Sequence, residues 1–358
     1  MGFRLLAAAF AALALSATSA GAYPVGERHL TTTSATAPLR DAEHRPTLRI
    51  TLWYPAAAGA KEAPLNIGAP GEPLLTAGSS APDAPFADRR PRAVILFSHG
   101  YGGTARIMGW FCTELARAGY VVVAVDHPGN NAADPMTAPG AAMFWDRAED
   151  LRDAWRRVAA DPALAPHLDR RKLAAAGFSA GGFTALVAAG VKVDLERFIA
   201  FCQAHPDDGV CKPQQEFPMT LNQAEAALAA PPLAAERARA DGPHATPGVK
   251  AVFAIAPAIV QALDPDSLKA MRIPVAIILG DADPIATPRT NGLAAAQLIP
   301  NAELTVLDDV GHYDFLAPCT PAGEAKIDFC RTKTRKAPTH RATVGAALAF
   351  FGHALGGP

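Results

Sequence analysis

Residues 171–190 read RKLAAAGFSAGGFTALVAAG, and the fold turns on how the middle of this stretch is parsed. RKLAAAGF (171–178) has the length and apolarity of a buried strand, and AGGFTALVAAG (180–190) those of a helix. GFSAG (177–181) then falls on the turn between them. A serine on so sharp a strand-to-helix turn is held in a strained backbone conformation. Small residues two before and two after it let the neighbouring elements approach, and Gly177 and Gly181 supply them. Such a turn presents Ser179 at the C-terminal edge of a sheet, where the first amides of the following helix favour developing negative charge.

Outward from this point the same alternation recurs. TLRITLWYP (47–55) is a strand that stops at Pro55. AVILFSHG (93–100), YVVVAVDHPG (120–129), VKAVFAIAP (249–257), IPVAIILGD (273–281) and AELTVLDD (302–309) are further strand candidates. The continuous apolar run at 93–100 suits a strand buried on both faces, and 120–129 reads as the next buried strand. Helical patterns cover 105–118, 144–160, 287–298 and 340–355. Strands alternating with helices predict an α/β domain with a mostly parallel central sheet and helices on both faces. Residues 56–92, rich in Pro, Gly and Ala, read as a long surface loop. Residues 192–247 break the rhythm and read as a cap-like insertion over the sheet's C-terminal edge, within a single domain spanning 23–358.

A serine hydroxyl needs a base, and the base needs an orienting carboxylate. With Ser179 on a strand-to-helix turn, the expected chain order is serine, acid, histidine. DADP (281–284) follows one late strand and offers Asp283 as the acid, with Asp281 as the alternative. DDVGHYDF (308–315) follows the next and offers His312 as the base, whereas His340 and His353 fall in or beside the terminal helix. The oxyanion calls for two amides: Ala180, next to the nucleophile, and Tyr101 in the glycine-rich SHGYGG (98–103). His99 reads as an organiser of that loop by hydrogen bonding, and Asp126 and His127 as residues that fix loops rather than react. Phe144, Trp145 and Trp155 read as a helix packing face, and RTKTRK (331–336) as a solvated loop.

Composition narrows the partners. The 358 residues carry 33 Lys and Arg against 34 Asp and Glu, so nothing in the charge balance calls for nucleic acid or an acidic membrane. The first 22 residues have one positive charge at Arg4, an apolar run from Leu5 to Leu15 and small residues to Ala22. That pattern reads as a cleaved secretory signal, which directs the mature chain to the periplasm or beyond. Cys202 with Cys211 and Cys319 with Cys330 bracket short loops, as local disulfides do in an oxidising compartment, leaving Cys112 as the lone thiol. No cysteine–histidine spacing resembles a zinc site.

LWYP, FSHGYGG, AGYVVVAVDHPGN, GFSAGG, GDADP and GHYDF together resemble the α/β-hydrolase superfamily across the whole mature chain. More narrowly they resemble bacterial proteins called predicted dienelactone hydrolases, which look related to the secreted type of platelet-activating-factor acetylhydrolase. The resemblance implies an α/β-hydrolase fold and a cofactor-free serine esterase for small-molecule esters. It also implies Asp283 as acid, His312 as base and the Tyr101 and Ala180 amides as oxyanion donors. Dienelactone hydrolases themselves use a cysteine nucleophile; the serine at 179 points away from dienelactone as substrate. The other readings are a peptidase or amidase on the same fold, and a binding protein without catalysis.

Overall fold

The computed structural model describes residues 22–331 and 336–358, so the export-signal reading falls, but for Ala22, outside the described residues. Among these residues ten strands form one sheet: β1 (Val25–Thr33), β2 (Thr47–Pro55), β3 (Ala63–Ala69), β4 (Glu72–Pro82), β5 (Arg92–Ser98), β6 (Val121–Asp126), β7 (Leu168–Phe178), β8 (Val249–Ile255), β9 (Val275–Gly280) and β10 (Glu303–Leu307). Their spatial order is β10-β9-β8-β7-β5-β6-β2-β1-β4-β3. From β10 to β6 all neighbours run parallel, whereas β2 is antiparallel to both β6 and β1. Strand order reverses around β5, with β6 on one side and β7 on the other. A crevice opens outside the strand ends at such a switch point.

The principal helices are α1 (Gly109–Arg117), α2 (Asp146–Ala160), α3 (Ala180–Ala188), α4 (Leu195–Ala204), α5 (Leu221–Ala229), α6 (Pro231–Arg237), α7 (Gly292–Leu298) and α8 (Lys336–Leu355). The period-two pleat of β5 divides the core between them. Val94 and Leu96 join the apolar cluster under α2, α3 and α4, and Ala93, Ile95 and Phe97 the one under α1 and α8. Every residue of β5 is buried. Each large apolar side chain placed this way stabilises the fold by about 1.5–3 kcal/mol.

Two sequence expectations change. Residues 56–92 are not simply a surface loop: β3 and β4 form an antiparallel hairpin there, and β4 joins the sheet alongside β1. Glycines and prolines obscure the hairpin, and Gly68 and Gly71 take positive φ at its turn. β1 (VGERHLTTT) is a further strand without a sequence signal, because its outer half alternates between half-buried and exposed rather than forming an apolar run.

Cys202 is bonded to Cys211 and Cys319 to Cys330, while the buried Cys112 is free. The bridges span 9 and 11 positions. Loop-closure entropy assigns each about 3 kcal/mol. Reduction should therefore lower the unfolding free energy in urea by roughly that amount per bridge. A non-reducing peptide map should return these two pairs, and a crossed pair would contradict the local connectivity.

Candidate active site

The turn at 177–181 takes the conformation that its glycines anticipate. Ser179 sits at φ +58°, ψ −121°, a region that costs a non-glycine residue about 1–3 kcal/mol. Hydrogen bonds to the next strand offset that strain: the Ser179 amide donates to the Ile255 carbonyl at 2.9 Å, and its own carbonyl accepts from Ala258 at 3.1 Å. A Cβ on Gly181 would stand 1.9 Å from the Ser98 carbonyl oxygen, and one on Gly177 2.1 Å from the Gly181 carbonyl oxygen. Both positions are therefore closed to any larger residue.

Three sequence candidates meet at the C-terminal edge of the sheet. Ser179 follows β7, Asp283 follows β9 and His312 follows β10. The Ser179 hydroxyl donates to His312 Nε2 at 2.9 Å, and His312 Nδ1 donates to Asp283 Oδ2 at 2.6 Å. The other Asp283 oxygen accepts the amides of Ile285 and Ala286, both at 2.8 Å, so the carboxylate can neither swing away nor lack partners. All three side chains are buried, and Phe178 packs against the His312 ring. Asp281 is exposed and accepts the Asp309 amide at 2.7 Å, a loop contact away from the imidazole. His340 lies in α8, stacked on Trp110, and His353 in the last turn of the same helix.

Tyr101 and Ala180 border the same pocket as Ser179, and neither amide donates to a described backbone carbonyl. The Tyr101 amide is aimed by its own peptide. The Gly100 carbonyl accepts from His99 Nδ1 at 2.6 Å and from the Gly103 amide at 3.2 Å. In a planar trans peptide the N–H then points the other way. His99 Nε2 in turn accepts the His127 amide. Burial, with His127 and Arg147 nearby, holds the His99 pKa well below 6.5, so the ring is neutral and keeps this tautomer.

Behind the loop lies a polar network in which Arg40, Arg147 and Asp150, which no sequence motif singled out, join the expected His127. Ser98 donates to His127 Nε2 at 2.8 Å, and His127 Nδ1 donates to Asp150 at 2.9 Å. Arg40 grips the Asp150 carboxylate with both terminal nitrogens. This repeats the chemical order of the Ser179 line, but all of these side chains are sealed from solvent. Burial and Arg147 push the His127 pKa down to about 3. Arg147, itself fully buried, donates to the Ser98 hydroxyl, the His99 carbonyl, Asn130 and Thr184. Asn130 accepts the Gly102 amide at 3.0 Å. These bonds immobilise residues 98–102, the loop-fixing role expected of His127. Asp126 has a similar role, accepting the Ala105 amide and Arg49.

The pocket at Ser179 has a volume of about 130 Å³ and mostly apolar walls. Phe144, Leu195, Phe198, Ile199, Met219 and Leu228 supply much of that wall. Phe144 is thus a pocket residue, where the sequence suggested only packing; Trp145 is fully buried in the core. Lys336 also departs from expectation. It is buried at the start of α8 and donates to the carbonyls of Tyr313 and Leu316, beneath the His312 loop, rather than belonging to a solvated loop.

Asp146, Glu149 and His244 bring three ligand-type atoms within 4.8 Å of one another. Glu149 accepts from Arg239 and His244 and is ion-paired with Arg152 at 3.2 Å, so protein groups already crowd that carboxylate. His244 Nε2 donates to the Arg239 and Ala240 carbonyls within the 192–247 segment, and His244 Nδ1 donates to Glu149 at 2.9 Å, clasping the end of that segment to α2. Burial disfavours the His244 charge, but Glu149 and the Ala240 carbonyl outweigh it and raise its pKa above 6.5. A folded-state pKa above the unfolded one stabilises fully below the unfolded value, and the contribution is lost as pH rises through the folded value. His244→Gln should therefore lower Tm by a few degrees at about pH 5.5 and by less at about pH 9. Calorimetry at both pH values checks this, and equal losses would count against the clasp.

A family model described as serine aminopeptidase, S33, matches residues 89–217. A search of curated proteins finds no match. Among solved structures, the chain is similar to a ferulic acid esterase from Streptomyces cinnamoneus, with 20% identity, a TM-score of 0.60, and coverage of 95% of this chain and 92% of that one. It is also similar to a puromycin-hydrolyzing peptidase of Mycobacterium tuberculosis, with 15% identity, a TM-score of 0.48, and coverage of 92% of this chain and 40% of that one. At 20% identity the likeness to the esterase speaks for the fold alone. No helix among the described residues is long and apolar enough to cross a membrane. With a parallel sheet wrapped by helices, a strained serine turn after β7 and this structural likeness, the chain has the α/β-hydrolase fold.

Proposed function

We propose that the chain is an exported serine hydrolase that cleaves small carboxylic esters through an acyl-enzyme. The observation that carries this reading is the unbroken hydrogen-bond line from Asp283 through His312 to Ser179, opening onto an apolar pocket. Ser179 attacks the ester carbonyl while His312 Nε2 takes its proton, and the imidazolium is stabilised and oriented by Asp283. The oxyanion is received by the Tyr101 and Ala180 amides. His312 then protonates the departing alcohol, and water attacks the acyl-enzyme by the same route in reverse. The apolar wall favours an acyl or aryl group without charge. The two disulfides support an oxidising compartment. The resemblance to dienelactone hydrolases and platelet-activating-factor acetylhydrolases supports esters as the substrate class, and residues 192–247 serve as the cap that supplies α4, α5 and α6.

A second reading, an aminopeptidase, uses the same serine line. It draws on the match over residues 89–217 and on Glu225, a carboxylate in the pocket wall that could meet an ammonium group. A panel of p-nitrophenyl esters against aminoacyl amides separates the two. Ester turnover above amide turnover, with fluorophosphonate label recovered on Ser179, is the expected result. Faster amide turnover reverses the order of the two readings, and failure of the probe to label Ser179 overturns both.

A further inference from the structure

Residues 212–219 run between two fixed points. Upstream, the Cys202–Cys211 bridge closes a loop whose Gly209 is pressed against the Pro284 and Ile285 carbonyls, immediately beyond Asp283. Downstream, Thr220 opens α5 with a reciprocal side-chain cap to Gln223. Between these anchors Gln214 and Phe217 pair across a tight turn. That turn is held from both sides of the site. The Tyr101 hydroxyl donates to the Phe217 carbonyl at 3.2 Å, and the Tyr313 hydroxyl donates to Glu216 at 3.1 Å. Glu216 also lies so close over Gly102 that a Cβ on that glycine would stand 2.6 Å from its own Cβ. One latch thus starts from the oxyanion loop and the other from the residue next to His312. Lys212, Gln214 and Met219, from the same segment, line the Ser179 pocket.

We infer that residues 212–219 are a latched strap across the mouth of the Ser179 pocket, and that Tyr313 and Glu216 determine how bulky an ester can enter. This rests on the proposed ester hydrolysis. Slim esters reach Ser179 beneath the closed strap. An ester with a large alcohol group needs the strap raised, so its apparent kcat/KM carries the fraction of molecules that are open. Tyr313 is not a catalytic residue here. Its ring stacks on Phe329, a contact that Tyr313→Phe keeps while deleting the latch.

The test compares methyl butyrate with 4-methylumbelliferyl butyrate in the wild type, Tyr313→Phe, Glu216→Ala and the double variant, alongside amide hydrogen exchange at 214–217. Each single change should move the kcat/KM ratio toward the bulky ester by about three- to tenfold, since one partly exposed hydrogen bond is released. The double variant should go no further than the singles, because both remove the same contact. Exchange at 214–217 should quicken in step. An unmoved ratio in a Ser179-dependent esterase, or equal slowing of both esters, overturns the inference. Hydrolysis of neither ester by the wild type would instead sink the proposed function; exchange still decides the latch, and unchanged exchange refutes it.

Discussion

Ser179→Ala should keep the fold and lose ester hydrolysis by about 10⁴–10⁶-fold in kcat, because no other group can form the acyl-enzyme. The loss should fall on kcat rather than KM, since the apolar walls of the pocket are untouched. Alanine removes only the hydroxyl and leaves the positive-φ backbone in place, so Tm should stay within a few degrees of wild type. Stopped and continuous assays on one soluble ester, with circular dichroism for the fold, are sufficient. Turnover within tenfold of wild type in a folded variant would remove Ser179 from the mechanism. The Ser98–His127–Asp150 line could not compensate, because it is sealed from solvent and the His127 pKa is pushed down to about 3.

Asp283→Asn should lower kcat by about 10⁴-fold, while Asp281→Asn should stay within a few-fold of wild type. In the proposed mechanism the carboxylate at 283 fixes the tautomer that leaves His312 Nε2 free to accept the serine proton, and it stabilises the imidazolium that forms. An asparagine can turn its NH₂ toward Nδ1 and reverse the tautomer. Its remaining carbonyl can still accept the Ile285 and Ala286 amides, so the loop should survive and the loss can be read as chemistry. The Asp281 carboxylate accepts the Asp309 amide, an exposed contact. If the 281 variant were the inactive one, the hydrogen bond between His312 and Asp283 would not be the one that works in turnover.

The strand-end positions of Ser179 and His312 are legible from the chain because β7 closes on the unbroken small and apolar run LAAAGF, and the β-branched stretch ELTVL precedes the turn that carries His312. Between Asp281 and Asp283 the sequence offers two carboxylates, and two residues of loop decide which of them turns inward. The structure makes the reason visible: the amides of Ile285 and Ala286 capture Asp283 Oδ1, a local turn that leaves Oδ2 facing the imidazole. The β3–β4 hairpin stayed hidden because its strands lie at the sheet's far edge and lack the apolar runs of the central strands. Phe144 and Lys336 were misjudged for a related reason. Residue type and helical spacing say that a side chain is apolar or charged, but not what packs over it.

The sequence by itself determined the α/β architecture, through period and apolarity, and the serine turn, through two glycines that sterics leave no room to replace. It also placed Ser179, the two aspartates and His312 just after β7, β9 and β10, and parallel strands in one sheet carry their C-terminal ends to one edge. Only the tertiary structure decided what surrounds that edge. The Arg147 network behind residues 98–102, the His244 clasp and the strap at 212–219 join groups between 17 and 116 positions apart in the chain. Their hydrogen bonds depend on loops whose conformation is set by packing against distant elements, and such distances leave no periodic mark in a sequence.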